Sequence, residues 1–272
     1  GLRCHQLKTG KANRPHLSKE QISRSTARRD LTTLRAALRF VQSEGVLIGE
    51  PPKVHLPPET SPRERVFSRS ECAMILHELW RGAPTCARDG STHRSPGKTR
   101  HAARLFWLLL YTGSRFQTVA QTTRCRRSTG PWIDLANGLW HRRGADELET
   151  VKRRDAHRIP GRIILALARW ERAYPDQKYV VERPSRPGLP IADIGQALDG
   201  ACRRLGIGRI TAHTIKHTSI SLFISGGGDP VHAAEYYSTS LQTILKNYLH
   251  LSPKFQDGAM PHVSRLGRRV LP

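Results

Sequence analysis

Acidic side chains, paired cysteines and long apolar runs are what this sequence is short of, and each shortage removes a class of protein. Asp and Glu number 22 against 45 Lys and Arg, a formal charge of +23 over 272 residues. The basic residues run from Arg3 to Arg269 and form no single tail, so the chain carries a field suited to a polyanion. Phosphate neutralisation makes DNA or RNA the first partner to consider, with a basic ribosomal or membrane-surface protein as the rival class. The five cysteines, Cys4, Cys72, Cys86, Cys125 and Cys202, are odd in number and scattered, with no Cys-x-x-Cys pair. Neither a zinc ribbon nor a disulfide framework is expected, and a reducing, cytoplasmic setting fits. The longest apolar run, Leu105–Tyr111, is far too short to cross a bilayer, and no basic-then-apolar leader opens the sequence, so no membrane partner is expected. Repeats and low-complexity blocks are absent as well.

What is present is a 38% hydrophobic chain, enough for one large domain with a substantial core and a smaller second one. Residues 1–21 are polar and basic with little periodicity. From Ser25 onward Ala27, Leu31, Leu34, Leu38 and Val41 fall at helical spacing up to Gly45, with Ser25 or Thr26 able to cap. Arg24, Arg28, Arg29, Arg35 and Arg39 decorate the other sides, either as DNA-backbone contacts or as a solvated face. Pro51, Pro52, Pro57, Pro58 and Pro62 then forbid a continuous helix and mark a domain boundary. Beyond it, Ser68 and Glu71 form a capping box for a helix over Ser68–Trp80, Gly82–Lys98 reads as a loop, and Thr99–Gly113 as a helix apolar nearly all round.

The period changes at Trp132. Trp132–Leu135 and Leu139–His141 predict two strands joined at Asn137-Gly138, with a third over Leu148–Lys152 and a fourth over His157–Ile159. Helices are predicted at Ile163–Tyr174, Ile191–Leu205, Thr211–Ser225, Val231–Tyr237 and Leu241–Leu249, with a short strand at Tyr179–Val181. The expected class is α+β, mostly helical, with one small antiparallel sheet.

Transferring a phosphodiester without a metal takes a nucleophile, a proton donor for the leaving oxygen, and cations around the non-bridging oxygens. Arg115 follows the apolar helix in Thr112-Gly113-Ser114-Arg115, placed either to grip phosphate with two parallel donors or merely to cap the helix end. Lys152 stands among basic neighbours in Val151-Lys152-Arg153-Arg154, and Arg153 or a plain phosphate-binding stripe are the competing readings. His213, Lys216 and His217 lie one turn apart, so they can converge on one phosphate; this spacing supplies no third metal ligand. Tyr248, with an ordinary phenol pKa of about 10, would need cations nearby to act as a nucleophile. Tyr236 and Tyr237 compete for that role.

Taken in order, Arg115, Lys152, His213-x-x-Lys216-His217 and the box Leu245–Pro253 around Tyr248 resemble the tyrosine recombinases of the phage integrase family. The resemblance implies an integrase-like catalytic domain over residues 66–272, preceded by a partial helical core-binding domain and Pro-rich linker over residues 1–57. It implies that Tyr248 attacks the scissile phosphate, giving a 3′-phosphotyrosyl link and a free 5′-hydroxyl. Aligned on Pro160, Lys152 falls at the family's hairpin lysine and is similar to the general acid for the leaving oxygen. His213 would serve in proton transfer or as a donor, Lys216 as phosphate charge, and His217, Thr239 and His250 as supporting residues. Arg28, Arg35, Arg39, Arg153 and Arg154 would touch DNA. Also implied are double-stranded DNA as partner, a homotetramer on two DNA sites, exchange of the segment 253–272 between neighbours, nucleoid association, and no cofactor or metal. Three positions depart from the family pattern: Lys216 replaces its second arginine, Thr239 stands where His or Trp is usual, and Thr118 replaces an acidic residue. Those departures keep open a weakened or inactive DNA-binding remnant, alongside a type IB topoisomerase-like activity and a general RNA-binding protein.

Overall fold

The computed structural model describes residues 22–59, 65–86, 89, 91–94, 98–148, 154–257, 260 and 263. The chain divides into two compact units, Gly1–Glu64 and Arg65–Pro272. In the first, α1 (Arg24–Ser43) begins earlier than its apolar spacing predicts, because Ser23 and not Ser25 or Thr26 is the cap, its hydroxyl accepting from the Thr26 amide at 3.2 Å. The Pro-rich segment folds back on this helix through Arg28, which donates to the Pro57 carbonyl and to Glu59 Oε1 at 2.8 Å.

The second unit is built around α3 (Arg100–Thr112), whose Ala102, Ala103, Leu105, Phe106, Leu108 and Leu109 are all buried. Against it pack α2 (Arg69–Arg81), entered through the predicted Ser68–Glu71 capping box, and α7 (Ala212–Ser225). A three-stranded antiparallel sheet, β3 (Trp132–Asp134), β4 (Leu139–His141) and β5 (His157–Arg158), covers another side of the same core. The Asn-Gly turn forms as predicted: Asp134 accepts from the Asn137 amide at 3.0 Å, and Gly138 takes φ +64°. Alternation along β4 buries Trp140 completely, and its indole donates to Thr122 Oγ1 at 3.1 Å. Four further helices follow: α5 (Gly161–Ala173), α6 (Gly195–Leu205), α8 (Pro230–Tyr236) and α9 (Leu241–Tyr248), the last running into a 3₁₀ turn, Leu249–Leu251.

Several expectations are corrected. The predicted loop over 82–98 contains a hairpin, β1 (Pro84–Cys86) paired with β2 (Thr92–Arg94). It is anchored by Arg94, which shares the buried Glu78 carboxylate with Arg204 at 2.9 and 2.5 Å. Tyr179–Val181 is buried but forms no strand; Glu182 Oε1 captures the Tyr179 amide at 2.9 Å and leaves a single bridge to Thr123. Helix α6 starts at Gly195 and not Ile191, where Asp193 accepts from the Gly195 amide at 2.9 Å. A short helix, α4 (Phe116–Ala120), follows Arg115 unpredicted. The strand expected over 148–152 runs into residues outside those described, and β5 pairs directly with β4. Among the described residues no helix is long and apolar enough to cross a membrane.

A second, smaller core of Ile220, Ile224, Ala233, Ala234, Tyr237, Ile244 and Tyr248 knits α7, α8 and α9 together. It meets the main core at Gly113, which ends α3 at φ +53°; a Cβ there would lie 2.3 Å from Tyr237 Cδ1. Gly113→Ala is therefore expected to combine a left-handed backbone cost of about 1–2 kcal/mol with overpacking of roughly 1–3 kcal/mol. Gly206→Ala, at φ +66° with nothing within 4 Å, incurs the backbone cost alone. Thermal unfolding of the two variants checks this, and equal drops would show that the ring contact is slack.

Candidate active site

The Thr211 hydroxyl accepts from the Thr214 amide at 3.2 Å and starts α7, setting where its first two turns point. His213 and His217, four apart, share one face; Lys216 turns inward on another. Its Nζ donates to the Tyr237 carbonyl at 3.0 Å. Burial first, and then the positive charges of Arg115 and Arg142, pull the Lys216 amine down to about 8. Arg115 itself is exposed, in extended conformation at the start of α4.

Arg142 was not singled out in the sequence, and it belongs to this cluster. It is 6% exposed and follows directly on β4. Its guanidinium donates to Ser238 Oγ, to the Tyr236 carbonyl at 2.7 Å and to the Thr112 carbonyl at 3.3 Å. Burial draws its pKa down to about 10, a shift to which Arg115 adds. Ser238 takes φ +45°, a left-handed conformation uncommon outside glycine, and so presents its hydroxyl to that guanidinium. A sequence signal was available: residues alternate along a strand, so a buried Trp140 places residue 142 on the same inward face. Beside it His157 is buried, edge-on to Tyr236, with burial holding its imidazole down at about 3.

Tyr248 closes α9, 4% exposed, and burial pushes its phenol up to about 12. Its hydroxyl meets His217 Nδ1, and His217 Nε2 meets His213 Nε2 at 2.8 Å. The His217 imidazole is held below its ordinary value by burial, then by His213 and Lys216. The competing phenols are engaged elsewhere. Tyr236 donates to the Tyr111 carbonyl at 3.2 Å, and Tyr237 to the Ser219 carbonyl at 3.2 Å.

Of the remaining predicted residues, Lys152 and Arg153 lie outside the described residues. Arg154 pairs with Glu147 at 3.5 Å. Thr239 is half-buried in the turn before α9, its amide donating to the Ala234 carbonyl at 3.0 Å, and His250 is exposed on the 3₁₀ turn. On α1, Arg35 and Arg39 are exposed, whereas Arg28 is engaged with Glu59. Among the described residues no group of three His, Cys, Asp or Glu side chains is arranged to hold a metal ion.

No family model and no curated protein sequence matches the chain. Solved structures do. The Tn1549 transposon integrase in complex with transposon right end DNA aligns at TM-score 0.60 and 13% identity, over 91% of this chain and 87% of that one. The same integrase with circular intermediate DNA aligns at 0.61 and 14%, over 89% and 81%. The fold is integrase-like. A lambda integrase dimer bound to a core site gives 0.56 and 14%, over 83% of this chain and 73% of that one. At such identities the likeness is one of fold, so what this fold does here rests on the arrangement of its own side chains.

Two outcomes follow from the cation cluster. Arg142→Met leaves the Tyr236 and Thr112 carbonyls and the Ser238 hydroxyl without their donor, and is expected to lower stability by about 1–3 kcal/mol in denaturant unfolding. In Arg115→Gln, an exposed change, the Lys216 amine is expected to titrate above about 8, because a repelling charge is gone. NMR of methyl-labelled lysines reads the midpoint directly, and an unmoved midpoint would mean that Arg115 exerts no field there.

Proposed function

We propose that this chain cuts and rejoins double-stranded DNA as a site-specific recombinase, with Tyr248 as nucleophile. The observation that carries the reading is a tyrosine hydroxyl held against a histidine on the same helix turn as Lys216, with Arg115 and Arg142 close enough to depress that lysine's pKa. Such a group of cations is suited to the charge that gathers on a phosphate's non-bridging oxygens during attack.

In the proposed sequence Tyr248 Oη bonds to phosphorus and the bond to the 5′-oxygen breaks. That oxygen takes a proton, for which Lys152 is the candidate donor, leaving a 3′-phosphotyrosyl link. A 5′-hydroxyl from a second strand then attacks the phosphorus and returns its proton to the Lys152 candidate, while Tyr248 departs and takes back a proton. One phosphodiester is exchanged for another, so the chemistry needs no ATP. Arg115 and Lys216 serve the non-bridging oxygens, while Arg142 fixes the turns that present them. Exposed Arg35 and Arg39, together with Arg153 and Arg154, are proposed duplex contacts; Arg28 would have to leave Glu59 to join them. The neighbours on DNA are integrases of a transposon and of lambda, the latter a dimer on its core site, which supports DNA as partner and a mobile element as setting. Assembly of four protomers on two sites completes the proposal.

Lys216 favours a second reading, a protein that holds DNA and cuts it feebly. A lysine keeps the charge but loses the two-pronged grip of a guanidinium. A pool of random-sequence duplexes nicked beside the candidate phosphate separates the two. Wild type is expected to form a covalent protein–DNA adduct, and Tyr248→Phe none, with equal DNA retention at low salt. Retention without any wild-type adduct would leave only the holding role, and relaxation of supercoiled plasmid lacking a specific site would point to topoisomerase-like chemistry.

A further inference from the structure

The contact that brings Tyr248 to α7 continues beyond His217. Tyr248 Oη meets Nδ1 of His217, the opposite nitrogen of that ring meets Nε2 of His213, and His213 is exposed. The two imidazoles stand edge to face, 4.4 Å apart at 84°. A buried hydroxyl is thereby connected to water through two rings. We propose that His217 is the general base that takes the phenolic proton of Tyr248, and that His213 delivers a proton onward to solvent. The proposal rests on the reading of Tyr248 as the nucleophile, and it gives the contact role to His217, which the sequence alone suggested only as support.

Proton counting makes the chain a relay. In the resting arrangement Tyr248 O–H donates to Nδ1 of His217, whose Nε2–H donates to Nε2 of His213, whose proton lies on Nδ1. As the phenol oxygen forms its new bond, its proton passes to Nδ1 of His217. The Nε2 proton of His217 passes to His213, and the Nδ1 proton of His213 leaves to water. Each ring ends neutral with its tautomer exchanged, and one proton has left the phenol. No buried imidazolium accumulates beside Lys216.

The surroundings agree with this assignment. With the phenol near 12, only about one molecule in 10⁵ is ionised at pH 7, so a local acceptor matters. His217 faces His213 and Lys216 on its own helix and Tyr248 from α9, while Arg115 and Arg142 act on Lys216. Burial, and then His213 and Lys216, hold the His217 imidazole below its ordinary value, which favours the neutral form that can accept a proton.

The test uses the full chain and two probes. Methanesulfonyl fluoride reports the phenol without DNA: the Tyr248 O–S bond forms, fluoride leaves and the proton departs through the relay, with the modified peptide counted by mass spectrometry. The nicked duplex pool reports the reaction on phosphate. His217→Gln can still hydrogen-bond the phenol but cannot take its proton. Its modification rate at pH 7 is expected to fall by about 10²-fold, to recover in part with added imidazole, and to close on wild type as pH is raised within the range where the protein stays folded. His213→Gln is expected to show a smaller loss of the same shape. An unchanged pH profile in His217→Gln overturns the relay, as does a loss that is equal at every pH without imidazole rescue, or a wild-type Tyr248 that resists the reagent throughout. If the sulfonyl arm behaves as expected and no DNA adduct forms, the relay stands and the recombinase reading falls.

Discussion

A guanidinium placed where water does not reach calls for acceptors, and the two terminal nitrogens of Arg142 find theirs in a way that organises the site, while its Nε has no hydrogen-bond partner. Its partners are the Thr112 carbonyl at the end of α3, the Tyr236 carbonyl at the end of α8 and the Ser238 hydroxyl in the turn before α9. Each is the end of an element whose position matters. Thr112 precedes the turn that presents Arg115, Tyr236 is adjacent to the carbonyl that receives Lys216, and Ser238 leads into the helix that carries Tyr248. One buried side chain just beyond β4 thus ties the end of α3 to the α8–α9 turn, more than a hundred residues away in sequence.

The same guanidinium has an electrostatic consequence. Through burial first, and then the charges of Arg115 and Arg142, Lys216 holds its proton less firmly than an exposed lysine does. An incoming phosphate would relieve that repulsion and raise the pKa again, so anion binding and lysine protonation support each other. A lysine at this position is more adjustable than an arginine, whose charge does not titrate in water. On the proposed reading, Lys216 therefore gives the site a cationic strength that would depend on its occupant.

Much of this fold is legible in the sequence itself. The capping box at Ser68–Glu71, the apolar α3 and the Asn137-Gly138 turn are local signals, and the structure reproduces them. Boundaries went astray where side chains outside the periodic pattern intervened: Ser23 at α1, Asp193 at α6, Glu182 beside Tyr179. The pairing of β1 with β2 has no clear local signal; Arg94, at its end, is held by Glu78 from another element. The candidate site divides in the same way. Arg115, the His213–His217 cluster and Tyr248 were legible as motifs, but which histidine touches the tyrosine depends on how α9 approaches α7. Arg142 was visible only to someone asking why a strand should turn a charge inward.

The missing side chain at Gly113 has a mechanical meaning. The ring of Tyr237 fills the space that a Cβ would take, while the backbone carbonyl of the same residue receives Lys216. Behind the two cations stands a single residue that touches the turn of one and holds the amine of the other. A displacement of the Arg115 turn must push on Tyr237 and so move the acceptor of Lys216. The two cations share this support, so on the proposed reading a phosphate that drew one inward would also shift the other.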